Sequence, residues 1–174
     1  VGEAYIFQKD QGGTNTWGEV KKLFASDAAS GDDFGRAVSI SGDTMVIGAV
    51  GKAYDTNGDG TVEEDVGAAY IFQKDQGGVD NWGEVKKLVA REGLSGDQFG
   101  NSVAISNDLV AVGFYAKDEA PAYLFQRDQG GTNNWGEVKR FEGVPDNNAT
   151  YVALYGDTVL VGMPYTHGDV NEDG

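Results

Sequence analysis

The sequence predicts an all-β protein of four-stranded antiparallel meanders, and three observations carry that expectation. First, the phrase Phe-Gln-Lys/Arg-Asp-Gln-Gly-Gly, followed closely by Trp-Gly-Glu-Val-Lys, occurs three times, beginning at Phe7, Phe72 and Phe125. Self-similarity of this kind marks a repeat array. Second, the apolar residues alternate in short runs bounded by turn residues, the pattern of β-strands, and no segment holds a helical period over three turns. Third, glycine supplies 27 of 174 residues, about twice its average share. With only 3 prolines and no strict triplet period, this means many tight turns.

Each repeat reads as four strands in order. Ala4-Tyr-Ile-Phe7 is a strand that recurs as Ala69-Tyr-Ile-Phe72 and Ala122-Tyr-Leu-Phe125. A polar Gly-Gly turn from Gln11 to Asn15 is a hairpin signal. The return strand is Trp17 to Leu23, with Trp17, Val20 and Leu23 as its apolar anchors. An acidic loop of small residues, Ala25 to Asp33, leads through Phe34-Gly35 to the strand Ala37-Val-Ser-Ile40. Ser41-Gly-Asp43 is a tight turn, and Thr44-Met-Val-Ile47 closes on Gly48. Four strands joined by Gly-rich turns form a meander, and radial stacking of such meanders gives a β-propeller. The tryptophans, present in every repeat, are expected to pack between sheets.

Phe34-Gly35 followed by Ala37 to Ala49, and Phe99-Gly100 followed by Ser102 to Gly113, resemble the FG-GAP repeat. This is the blade motif of integrin alpha-subunit propellers and of many large bacterial surface and secreted proteins. The third copy is degenerate, with Asn148-Ala149 in place of Phe-Gly and Gly162-Met163-Pro164 in place of Gly-Ala-Pro. The Asn-Trp-Gly-Glu-Val-Lys-Lys-Leu phrase is closer to the bacterial branch. The resemblance spans essentially the whole chain and is specific for fold rather than function.

The repeats are cut out of phase. A partial blade covers 1–23, complete blades cover about 34–88 and 99–141, and a second partial blade covers 148–174. One blade is thus split between the termini. Propellers typically use about four to eight blades, so the open edges have three possible completions: further blades of a longer chain, copies of this chain, or distorted closure on itself. Joining Gly174 of one copy to Val1 of another puts 17 residues between Gly162 and Tyr5. That lies between the equivalent spacings of 22 (Gly48 to Tyr70) and 10 (Gly113 to Tyr123). Two copies would make a six-bladed ring, and an open head-to-tail chain a filament.

Charge and composition narrow the function. With 28 acidic and 13 basic side chains the formal net charge is −15. Such a surface repels nucleic acid and anionic membranes and favours cations and basic partners. No apolar run approaches the roughly 20 residues of a membrane-spanning helix, and the absence of cysteine leaves the redox compartment open. The chain begins at Val1 without an initiator Met or a signal peptide and reads as a mature, processed or excised segment.

The 12-residue difference between the repeat spacings lies in one loop, Ala49 to Ala69. Within it, Asp55-Thr-Asn57-Gly-Asp59-Gly60-Thr61-Val-Glu63 fits D-x-N-x-D-G-x-x-E. Oxygen ligands at alternate positions around a turn-forming Gly suit a hard cation such as Ca²⁺. An EF-hand would need Glu where Val66 stands, which excludes that loop type. The nine-residue form resembles the Ca²⁺ loop of integrin-type propellers. That resemblance implies ligation by the side chains of Asp55, Asn57, Asp59 and Glu63 and by the Thr61 carbonyl. The integrin loop joins strands 1 and 2 of a blade, whereas this one joins strands 2 and 3. A second, truncated D-x-N-x-D-G stands at Asp169, Asn171 and Asp173; a following copy would bring Glu3 to its ninth position.

In a propeller the 2–3 and 4–1 loops open on one face. Asp27, Asp32, Asp33, Asp55, Asp59, Glu63 and Asp97 would make that face acidic. The turns at Asp10, Asp75 and Asp128 occupy the opposite face and read as architecture. His167 is the one histidine and is expected to be solvated. Asn148-Ala-Thr150 is a glycosylation sequon, meaningful only in a eukaryotic secretory pathway. No nucleophile–base order, metalloprotease motif, P-loop or dinucleotide fingerprint is present. The expectation is therefore an extracellular or cell-surface, Ca²⁺-stabilised, non-catalytic propeller module. Its work would be adhesion to protein or polysaccharide, or assembly of a surface structure; the alternatives are a self-assembling subunit and an accessory domain of a secreted enzyme.

Overall fold

The computed structural model describes residues 1–116, 120–143 and 149–164. These form strands β1 (Ala4–Lys9), β2 (Trp17–Leu23), β3 (Phe34–Ser41), β4 (Thr44–Ala49), β5 (Ala68–Lys74) and β6 (Trp82–Leu88). They continue with β7 (Ser102–Ser106), β8 (Leu109–Gly113), β9 (Ala122–Gln126), β10 (Gly136–Phe141), β11 (Tyr151–Tyr155) and β12 (Thr158–Gly162). No helix occurs among the described residues.

The strands pair as antiparallel meanders in four sheets: β1-β2, β3-β4-β5-β6, β7-β8-β9-β10 and β11-β12. The first and last sheets have two strands each and the middle two have four. From β3 onward, consecutive sheets stack through their first strands, β3 against β7 and β7 against β11. This is the blade arrangement of a β-propeller, open at both ends among the described residues.

Local chemistry sets the hairpins. The wide turns after β1, β5 and β9 each begin with an Asp at positive φ: Asp10, Asp75 and Asp128. Their Oδ1 atoms accept from the backbone N–H of Asn15, Asp80 and Asn133, five residues on. A carboxylate that bonds its own turn amides stabilises the reversal without help from a neighbouring strand.

The stacking explains the Phe-Gly and Gly-Ala halves of the repeat. Gly100 sits at φ +95°, a conformation that side chains with a Cβ rarely adopt. Its backbone lies against Gly48 at the end of β4, so a Cβ on Gly48 would run into the Gly100 carbonyl. The Phe-Gly of one blade thus interlocks with the Gly-Ala of the blade before it. Phe34 and Phe99 then fill their own blades edge-on: Phe34 meets Tyr70 at 5.7 Å, and Phe99 meets Phe114 at 5.2 Å and Tyr123 at 6.0 Å.

Two apolar clusters result. One joins sheet β1-β2 to Met45, Ile47, Tyr70 and Phe72. The other joins Val46, Ile71 and Leu88 to β7–β9 and Trp135. The tryptophans are not equivalent, which corrects the sequence expectation. Trp135 is buried and lies beneath the Arg127 guanidinium, Trp82 is half-buried, and Trp17 is exposed, as is Val20 beside it. The reason is positional: β2 belongs to an end sheet and has no neighbouring blade on its outer face.

Candidate metal centre

The long connection from β4 to β5 is a closed loop. Gly67 N–H donates to the Lys52 carbonyl at 2.9 Å, and Tyr54 and Glu63 exchange backbone bonds at 3.0 and 3.2 Å. These pairs act as a short ladder that holds residues 55–62 as a tip.

Inside the tip, acidic side chains accept from loop amides. Asp55 takes Gly58 N–H at 2.6 Å and Gly60 N–H at 3.0 Å. Asn57 Oδ1 accepts from Asp59 N–H at 2.9 Å, and Asp59 Oδ1 accepts from Thr61 N–H at 2.7 Å. The bonds from Thr61, first its backbone N–H, hold the Asp59 carboxyl below its ordinary range; Asn57 adds to the effect. Gly58 and Gly60 supply the positive φ values, +77° and +88°, that let the chain curl around these oxygens.

The donor set is all oxygen, as a hard cation requires. A carboxylate offers about four lone-pair sites, so amide bonds leave acceptor capacity free. The structure gathers Asp55, Asn57 and Asp59 at one tip. Glu63 folds back onto the same loop, accepting from Thr56 N–H at 3.0 Å. Among the described residues, no three Asp, Glu or His side chains converge closely enough to hold a metal ion. The donor chemistry therefore suits Ca²⁺, while the three carboxylates of the motif do not share one coordination sphere. Asp169, Asn171, Asp173 and His167 lie outside the described residues.

The stem of the loop is fastened to its surroundings on two sides. On one side, Glu64 O, Asp65 O and Val66 O accept from the N–H groups of Gly96, Gln98 and Phe99, at 3.1, 2.9 and 2.8 Å. That ties the loop to the Phe-Gly entry of the next blade. On the other side lies a charge cluster. Lys52, buried, donates to Asp32 Oδ2 at 3.0 Å and to the Asp27 carbonyl at 2.6 Å. Asp27 in turn accepts from Tyr70 O–H at 2.7 Å and Lys87 Nζ at 2.9 Å, and Lys87 lies over the Tyr54 ring.

These partners engage several carboxylates of the expected acidic face. Asp32 points inward because buried Lys52 needs a counter-charge. Asp32 also accepts from Ala29 N–H at 2.7 Å, as Asp97 does from Leu94 N–H at 2.7 Å. Both therefore act as loop caps. Burial pushes the Asp97 carboxyl up. Burial also works to raise Asp27, but the bonds from Tyr70 and Lys87 and the charges of Lys87 and Lys52 outweigh it, so its pKa falls to about 2. Burial, with the bond to Asp27, pushes the Tyr70 hydroxyl up. The sequence signal for the caps is the recurring Ser-Gly-Asp before each Phe-Gly, at Ser30 and Ser95. The pairing of Lys52 with Asp32, twenty residues apart, has no such signal.

Antiparallel four-stranded blades, interlocked by Phe-Gly on Gly-Ala contacts, define a propeller-type repeat protein. The FG-GAP repeat family model matches residues 17–72 and 82–125, more than half of the chain. The chain belongs to the FG-GAP repeat family. No curated protein matches it.

Proposed function

We propose that this chain is an extracellular, non-catalytic propeller module stabilised by Ca²⁺, and that its work is adhesion or surface assembly. The observation that carries the cation part is the position of the 55–63 loop. Its stem is bonded forward to the Phe-Gly entry of the next blade and backward to the Lys52–Asp27–Lys87 cluster. A cation would have to draw Glu63 from the Thr56 N–H towards Asp55, Asn57, Asp59 and the Thr61 carbonyl, and in doing so would stiffen the tip. Through the stem it would stiffen the junction of two blades. The net charge of −15 favours cation uptake and disfavours nucleic acid as a partner.

Adhesion is supported by the surface rather than by a pocket. Among the described residues, the loops at the 2–3 and 4–1 ends present polar and acidic groups around a stack of sheets, the setting in which loops carry binding. Thermal melting with Ca²⁺ and with chelator tests the cation reading. Ca²⁺ is expected to raise Tm in a concentration-dependent way, with Mg²⁺ weaker, and Asp59→Ala is expected to abolish the rise. An identical Tm with Ca²⁺ and with chelator would remove the loop as a cation site.

A further inference from the structure

The two end sheets carry open edges and open faces that are complements of each other. In the complete blades the second strand takes the third in a fixed register. Met45 stands opposite Phe72 and Ile47 opposite Tyr70 in one blade; Val110 stands opposite Phe125 and Val112 opposite Tyr123 in the other. By repeat position β12 is a second strand and β1 a third strand. Among the described residues, neither has a partner on the edge that its equivalents use.

The faces agree with the edges. Val103 and Ile105 of β7 are buried where β7 packs on the first two strands of the preceding blade. Their equivalents on β3, Val38 and Ile40, are 63% and 60% exposed. With Tyr5, Ile6 and Phe7 they line a largely apolar groove of about 480 Å³ beside β1. At the other end, Leu160 of β12 is 70% exposed, whereas its equivalent on β4, Val46, is fully buried.

We propose that this groove seats sheet β11-β12 of a second copy of the chain, with β12 hydrogen-bonded to β1 as one completed blade. The register of the intact blades sets the pairing: Val159 opposite Phe7, Leu160 opposite Ile6 and Val161 opposite Tyr5. Leu160 of the second copy then lies over Val38 and Ile40 of the first, as Val46 lies against Val103 and Ile105 within one chain. A second copy is the occupant because the same chain supplies both halves. The strand that the β12 edge calls for, Ala-Tyr-Ile/Leu-Phe, is seated twice already, on β4 and β8, and its third example is β1. The contact is head-to-tail, joining unlike surfaces, so it closes as a ring or runs on as a filament. It rests on the propeller arrangement and not on the cation.

The chain has no cysteine, so a cross-link can be placed by design. Directly opposed residues of an antiparallel pair have Cα atoms about 4.5–5.5 Å apart, within disulfide reach. Equimolar Ile6→Cys and Leu160→Cys chains are mixed and oxidised gently, with Ca²⁺ and with chelator, beside Ile6→Cys mixed with Val79→Cys as a collision control. The expected result is a covalent dimer as the main product of the first mixture only. Sedimentation of the unmodified chain should show species larger than one copy. Leu160→Asp, at a position 70% exposed in the single chain, should return them to one copy with the Tm that the unmodified chain shows at high dilution. A chain that sediments at 18.4 kDa at every concentration, or a cross-link no stronger than the control, would overturn the proposal and assign the groove to a further repeat of a longer chain. A monomer whose Tm still responds to Ca²⁺ would sink this proposal alone. A cross-link formed equally in chelator, with no Ca²⁺ effect on Tm, would support it while sinking the cation reading.

Discussion

Hairpins β1-β2 and β5-β6 have nearly the same sequence and opposite surroundings. Both read Ala-Tyr-Ile-Phe-Gln-Lys and Trp-Gly-Glu-Val-Lys-Lys-Leu, and both carry a bulge at the same place, between Ile6 and Phe7 and between Ile71 and Phe72. Yet Tyr70 and Phe72 are buried, while Tyr5 and Phe7 are exposed. The backbone register is therefore written locally, by the alternation of side chains and the Asp-capped turn. Burial is written by the neighbouring blade. In a stacked array each repeat contributes one face of each interface, so an end repeat keeps its strands and loses its core.

Substitutions at matched positions probe this contrast. The largest difference is expected for the aromatics. Phe72→Ala and Trp135→Ala should each cost about 3–5 kcal/mol in chemical denaturation, because each empties a buried site. Phe7→Ala and Trp17→Ala should stay under about 1 kcal/mol in the single chain. Equal losses at Phe7 and Phe72 would mean that β1 is covered in solution.

Cation removal comes next. At a Ca²⁺ concentration one hundred times the dissociation constant, the ligand would stabilise the fold by about 2.7 kcal/mol. Asp59→Ala should remove that increment in a Ca²⁺ titration of Tm and change little in chelator. The glycine pair gives a smaller step. Gly48→Ala drives a Cβ into the backbone of Gly100 and should cost about 1–3 kcal/mol, the usual range for overpacking. Its counterpart Gly162 has nothing nearer than 3.9 Å, so Gly162→Ala should stay within about 0.5 kcal/mol.

The smallest effect is electrostatic. Asp27 has a folded pKa of about 2 against an ordinary 3.8. A depressed carboxylate contributes stability that is full above the ordinary value and is lost as pH falls towards about 2. Asp27→Asn should flatten the acid limb of a stability–pH curve between those values. High salt should shrink the difference, because Asp27 is partly exposed.

Much of this architecture is legible in the sequence because it repeats. The Phe-Gly and Gly-Ala ends, the Asp-Gln-Gly-Gly turns and the Ala-Tyr-Ile-Phe strands recur at matched positions, and each has a local cause. The 55–63 loop is legible for a related reason: its oxygen donors are contiguous, and the structure finds Asp55, Asn57 and Asp59 at one tip. What the sequence leaves unseen depends on distant neighbours. Lys52 meets Asp32 and Asp27 only once two loops are brought together, and that contact turns Asp32, an expected surface acid, inward. Trp17 and Trp135 look equivalent in the sequence because nothing in a repeat tells it whether another will stack on it.

Hydrogen–deuterium exchange over a concentration series tests the contrast between the end blade and the complete blade most directly. Amides of β5, paired on both edges, should be protected at every concentration. Blade completion predicts that β1 and β12 exchange quickly in dilute solution and slow together, towards the level of β5, as concentration rises. Fast exchange in β1 and β12 at all concentrations, with β5 protected throughout, would contradict it.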